Sequence, residues 1–194
     1  MVMLRCGQSL LKRLKPPVED MSSTGRLGDW YARAIFVKPR QLVLCTNEVS
    51  LLSVVVPLSP AFSFAERFVA AASIRVRQIP APDEILYDEC AKLEDVRIGK
   101  ATSRSVISTM NQIMYSLEAW IYGERSGDLE GLGLFLCDIP FTSISKTWPW
   151  LQAELALRGS VAREVGSWKV APPPNERCAA ENTLHLTITP QEVP

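Results

Sequence analysis

The sequence predicts an α+β domain: a small, mainly antiparallel sheet of about four or five strands, covered by helices and followed by a C-terminal appendage. Three observations lead there. Residues 29–57 contain three apolar segments, "DWYARAIFV" (29–37), "QLVLCT" (41–46) and "LLSVVVP" (51–57), rich in Val, Ile, Thr and aromatic residues and separated by "KPR" and "NEVS". Beyond Pro60 the apolar residues recur at helical rather than alternating spacing. From Arg104 to Ile121 that helical period is sustained through Val106, Met110, Ile113, Leu117 and Trp120.

In chain order, "VMLR" (2–5) reads as a short first strand. "QSLLKRLK" (8–15) reads as a short amphipathic helix, with Leu10, Leu11 and Leu14 on one side and Lys12, Arg13 and Lys15 on the other. "PPVEDMSSTGR" (16–26) has linker composition and is expected to be an exposed loop. The three apolar segments then form an antiparallel meander. In the first of them Trp30, Ala32, Ala34 and Phe36 share one face, and Tyr31, Arg33, Ile35 and Val37 the other. A helix over 29–36 is the alternative, because Trp30 and Ala34 also sit one turn apart.

Helices are expected over 61–74, where Phe64, Phe68 and Ala71 recur, and over 81–93, beginning near Pro82 and Asp83. "DVRIGKA" (95–101) returns to the sheet with Val96 and Ile98 inward and delivers the chain to the central 104–121 helix. "GERSGD" (123–128) ends that helix. "LEGLGLFLCDI" (129–139) is helical by length but weakened by Gly131 and Gly133. The domain is expected to span 1–143. Residues 144–194 form a Trp/Pro-rich extension ending in "TLHLTIT" (183–189), which alternates like a strand.

Composition narrows the function classes. With 47% hydrophobic and 22% charged residues in 194, the chain has enough apolar side chain for a core. Its formal charge is zero, from 21 basic and 21 acidic residues, so no whole-molecule field favours nucleic acid or an anionic membrane. Residues 1–40 nevertheless hold eight Lys/Arg against three acids, a +5 end facing a −5 remainder. The five cysteines, Cys6, Cys45, Cys90, Cys137 and Cys178, are spaced for neither a disulfide framework nor a zinc knuckle, which predicts buried thiols in a reducing cytoplasm. No apolar run reaches the ~18 residues of a membrane span. With His185 as the one histidine, Ser–His or Cys–His catalysis has little to draw on, and no cofactor is implied.

The segments "LRC", "SLLKRL", "LGDWYA", "LVLCTNEVSLLSVVVP", "GKATSRSVISTMN", "LEAWI" and "DLEGLGLFLCDIP", in that order over residues 3–143, resemble a widespread family of uncharacterised bacterial proteins classed as a domain of unknown function. The pairing of "LGDWYA" with "RSVISTMN" carries the likeness, which implies no activity. Two positions depart from the family pattern. Arg33 stands where the family usually has Asn, and Gln112 where it has an acidic residue.

Two polar constellations are candidate sites. In "GKATSRS" (99–105), Lys100 and Arg104 meet the mouth of the long helix, where unpaired backbone N–H groups and the helix dipole favour an anion. The site continues along the helix through Ser105, Ser108 and Asn111, in a stripe that also includes Tyr115 and Glu118. The plainer alternative makes Ser103 an N-cap and Arg104 a surface ion-pair partner. In the second, a hairpin between 29–37 and 41–46 brings Asp29 and Trp30 beside Asn47 and Glu48, a set suited to a base, a sugar or Mg²⁺. Here the plainer alternative is a core tryptophan flanked by turn residues.

The functional expectation is a non-enzymatic cytoplasmic binding or regulatory protein that engages a partner or a small anionic ligand through one face carrying Asp29, Asn47, Arg104, Ser108 and Asn111. The alternative is a metal- or arginine-assisted enzyme acting on a nucleotide or phosphoester. "TWPW" (147–150) and "APPP" (171–174) offer a docking patch for a protein partner or a second copy in a homodimer. The "LLKRLK" helix lacks the interleaved aromatics of a nucleic-acid surface.

Overall fold

Alternation in the three apolar segments builds one half of the sheet. The computed structural model describes residues 1–37, 40–122, 128–141 and 148–159. The chain divides into units Met1–Val161 and Ala162–Pro194, and every described residue belongs to the first. Strands β2 (Trp30–Val37), β3 (Arg40–Asn47) and β4 (Ser53–Pro57) pair antiparallel, with Trp30 opposite Asn47 and Leu44 opposite Val55. This is the predicted meander. The helical alternative over 29–36 does not form, because alternate residues of β2 enter cores on opposite sides of the sheet. Trp30 and Ala32 pack into one, Tyr31 and Ile35 into the other.

The other half is parallel. β1 (Val2–Cys6) lies between β2 and β5 (Val96–Lys100) and runs parallel to both, giving the order β4-β3-β2-β1-β5. The two antiparallel ladders are longer overall than the two parallel ones, so the sheet is mainly antiparallel, as expected.

Helices cover both faces. On the first, α1 (Gln8–Leu14), α2 (Phe64–Arg77) and α3 (Asp83–Glu94) supply Leu10, Phe68, Ala72, Leu86 and Leu93 to a core that includes Trp30, Val43 and Val56. α6 (Pro149–Arg158), from the segment read as extension, adds Ala153 and Leu157 to the same core. On the second face, α4 (Arg104–Tyr122) presents Val106, Met110, Ile113 and Leu117, the stripe read from its period, to Tyr31, Leu44 and Val55. α5 (Leu129–Cys137) packs beside it and along β4. Gly133 permits that approach: a Cβ there would stand 2.8 Å from Arg75 Nη2.

Residues 16–26 are largely exposed, yet their backbone is tied to the sheet rather than free as a linker. Glu19 N–H donates to Ile98 O at 2.8 Å, Thr24 N–H to Met1 O at 3.1 Å, and Met3 N–H to Ser23 Oγ at 2.8 Å. Gly99 makes room for this segment, since a Cβ on it would lie 3.0 Å from the Glu19 carbonyl oxygen.

Cys6, Cys45, Cys90 and Cys137 are buried free thiols. Burial pushes the Cys6 thiol up to about 12 and raises Cys45 and Cys137 as well. Among the described residues no helix is long and apolar enough to cross a membrane. Cys178, His185, the "APPP" stretch, the strand expected at 183–189 and most of "GERSGD" lie outside the described residues.

Candidate functional site

The hairpin register gathers the first constellation. Trp30 pairs with Asn47, which leaves Asp29 and Glu48 adjacent just beyond the ladder, where Asp29 N–H donates to Glu48 Oε1 at 2.9 Å and Glu48 N–H donates to Asp29 O at 3.0 Å. The four residues therefore meet as the sequence predicts. The partners of Asn47, Trp30 and Asp29 there are other parts of the fold.

Asn47, fully buried, organises the turn that follows it. Its Oδ1 accepts from Val49 N, Ser50 N and Ser50 Oγ at 2.9–3.1 Å, and its Nδ2 donates to Leu27 O at 2.7 Å. That turn holds Leu51 at φ 60°, a left-handed conformation rare for a residue with a side chain. Trp30 is buried in the first core and meets Phe68 edge-on at 5.4 Å.

Asp29, 6% exposed, accepts Arg5 Nε at 2.6 Å and Ser23 N at 2.9 Å. Burial pushes its carboxyl up, but the Ser23 and Arg5 hydrogen bonds outweigh that and hold it below the usual carboxylate value. Arg5 rises reciprocally: burial lowers it, and Asp29 and Asp20 more than compensate. Its remaining nitrogens reach Asp20 Oδ1 at 3.1 Å and Met21 O at 2.6 Å, so this ion pair anchors the 16–26 segment.

The sequence reading passed over Arg5, whose signal was a lone arginine inside an apolar strand. It also passed over Glu89, which sits at the helical spacing of Leu86, Cys90 and Leu93 on the buried face of α3. Glu89 caps two backbone groups of the same segment, Arg26 N at 2.9 Å and Leu27 N at 3.1 Å.

The second constellation has the opposite character. Ser103 caps α4, its Oγ accepting Val106 N–H at 3.4 Å and its carbonyl accepting Ile107 N–H at 3.1 Å. Lys100, Arg104, Ser105, Ser108 and Asn111 are all exposed, and neither Lys100 nor Arg104 has an ion-pair partner among the described residues. Arg33 Nη1 on β2 donates to Asn111 Oδ1, joining the sheet to the outer side of α4. One turn further along, Tyr115 is 75% exposed. The two constellations remain separate sets: the Asp29 group faces inward around a turn, and the α4 group faces water.

Among the described residues no three His, Cys, Asp or Glu side chains come together as a metal site. A family model described as "Domain of unknown function (DUF6933)" matches residues 3–151, and the chain belongs to that family. No curated protein matches it, and no solved structure does.

Proposed function

We propose, since membership of that family brings no activity with it, that this chain is a bacterial cytoplasmic binding or regulatory protein, engaging an anionic ligand or an acidic partner surface through the outer face of α4. One observation carries the reading: Lys100 and Arg104 stand exposed, with no ion-pair partner among the described residues, beside Ser105, Ser108 and the Arg33–Asn111 bridge. Exposed cations steer anionic partners and cost little desolvation when they meet one. A tyrosine exposed on the same face supplies the aromatic contact that binding surfaces favour.

The enzymatic alternative needs a carboxylate free to act as base or metal ligand. Both oxygens of Asp29 are taken by Arg5 and Ser23 and Glu48 Oε1 accepts the Asp29 amide, which weighs toward binding. Buried free thiols fit a reducing compartment.

The test is thermal stability of wild type and Arg104→Ala against nucleotides, phosphosugars, polyphosphate and divalent metals. A ligand present at 100 times its Kd adds about 2.7 kcal/mol to the folded state. An anion-dependent shift in wild type that Arg104→Ala loses is the expected result. Equal shifts in both proteins, or none, would remove the face from consideration as an anion site.

A further inference from the structure

At the end of the sheet where β2 passes into β3, the first core runs out. Phe36 continues the face that carries Trp30, Ala32 and Ala34, but it is 65% exposed where those are buried or half-buried. It pairs with Gln41, whose carbonyl accepts Leu58 N–H at 2.8 Å, so Phe36, Gln41 and Leu58 form one row across the sheet. That row puts Phe36 about 10 Å from Leu58. Leu58 leads through Pro60 into a 3-10 turn over Ala61–Ser63, which carries Phe62, 89% exposed. α1 touches both β2 and this turn, with Leu10, Leu11 and Leu14 packed on the core. Two exposed phenylalanines and the outer side of α1 therefore share one end of the molecule.

The free charge at that end has one sign. Lys12, Arg13 and Lys15 are exposed and have no ion-pair partner among the described residues. Lys100, opposite Cys6 where β5 ends, is exposed at the same end. The acids that flank the patch along the chain are Glu19, whose carboxylate pairs with Arg97 at 3.3 Å, and Glu66, exposed in the first turn of α2. Glu66 alone is left against the α1 cations, and Arg67 beside it is bonded only to Ser63 Oγ and to the carbonyls of Pro57, Leu58 and Pro60.

These features select an occupant. A second copy related by a two-fold axis would set the α1 cations against their like. A single nucleic-acid strand needs cations spaced along a groove, and those of α1 fall within little more than one helical turn. Phe62 projects instead of lining a cleft, and a projecting ring enters a fluid interface without a matching pocket. We propose that this end docks peripherally on an anionic phospholipid bilayer, Phe36 and Phe62 entering the headgroup boundary while the α1 cations meet lipid phosphates. Such a contact needs no spanning helix, and it stands independently of the α4 face.

Co-sedimentation of the full chain with vesicles tests it, using phosphatidylcholine alone and phosphatidylcholine mixed equally with phosphatidylglycerol. The expected result is binding to the mixed vesicles that high salt releases, and none to phosphatidylcholine alone. Phe62→Ser should weaken it about fivefold, and Lys12→Gln with Arg13→Gln about thirtyfold. All three side chains are exposed, so the variants keep the core, which matching thermal unfolding verifies. Absence of binding to the mixed vesicles overturns the proposal, as does binding that these variants leave unchanged. Loss in Arg104→Ala alone would assign the lipid to the α4 face instead. A dimer in sedimentation that Phe62→Ser dissociates would give the patch to a second copy. Phe62-dependent retention on polyglutamate or oligothymidylate without vesicle binding would give it to an acidic protein or a nucleic acid.

Discussion

The turn at Asp29–Asn47 and the outer face of α4 are made of the same residue types, acids, amides, serines and arginines, and lie only a few residues apart across the sheet. They differ in what surrounds them. At the turn the Asp29, Asn47 and Ser50 side chains are withdrawn from water and each is matched by a named donor or acceptor. On the outer face of α4 the polar groups are exposed, and among the described residues Arg104 and Ser108 hold no other group in place. A buried, matched polar group contributes to architecture, because removing one side strands the other without solvent. An exposed, unmatched one is free to meet something else.

The sharpest way to break this contrast is Asp29→Ala, which leaves a buried guanidinium, 8% exposed, with only the exposed Asp20 as counter-charge, and should cost about 3–5 kcal/mol in urea unfolding. A loss under about 1 kcal/mol would place the turn in the same category as α4. The same carboxylate sets a pH dependence. Its folded value lies below the ordinary one, so its contribution is fully present above about pH 4 and fades as pH falls through the lower folded value. Asp29→Asn should flatten that acid limb.

Asn47→Ala comes next. It leaves Leu27 O, Val49 N and Ser50 N without their partner at a turn that already holds a left-handed leucine, and is expected to cost about 2–4 kcal/mol by the same measurement. Glu89→Gln puts an NH2, which cannot accept, in place of one of the two oxygens and so removes one of two bonds to the 26–27 backbone, an expected loss of about 1–2 kcal/mol, with faster hydrogen exchange at the Arg26 and Leu27 amides. At the small end, Arg104→Ala and Ser108→Ala should each stay within about 0.5 kcal/mol of wild type. A larger loss at either would show that the α4 face belongs to the architecture after all.

Most of the fold is readable along the chain because its signals are local. The meander follows from alternation and turn residues, and α4 from an uninterrupted apolar stripe. The parallel pairing of β1 with β5 joins segments some ninety residues apart, and no local pattern encodes it. The 16–26 segment reads as a linker because its composition is that of one. Its attachment depends on Arg5, Glu89 and Gly99, none of which is a neighbour in sequence. At the candidate site, which residues meet at the hairpin end was legible from strand register. That they are occupied was not, since Arg5 reaches Asp29 from a different strand.

Four cysteines shut inside the cores, with the thiol of Cys6 far from ionising, make the molecule a reporter on its own opening. An alkylating reagent in native buffer has to wait for a strand or helix to lift away, and the order in which Cys6, Cys45, Cys90 and Cys137 are labelled traces which part of the sheet lets go first. Cys6 on β1 and Cys45 on β3 flank Ala32 of the intervening β2, and Cys137 ends α5 with its thiol on Ser53 O of β4. Labelling of Cys137 therefore reports α5 lifting away from β4.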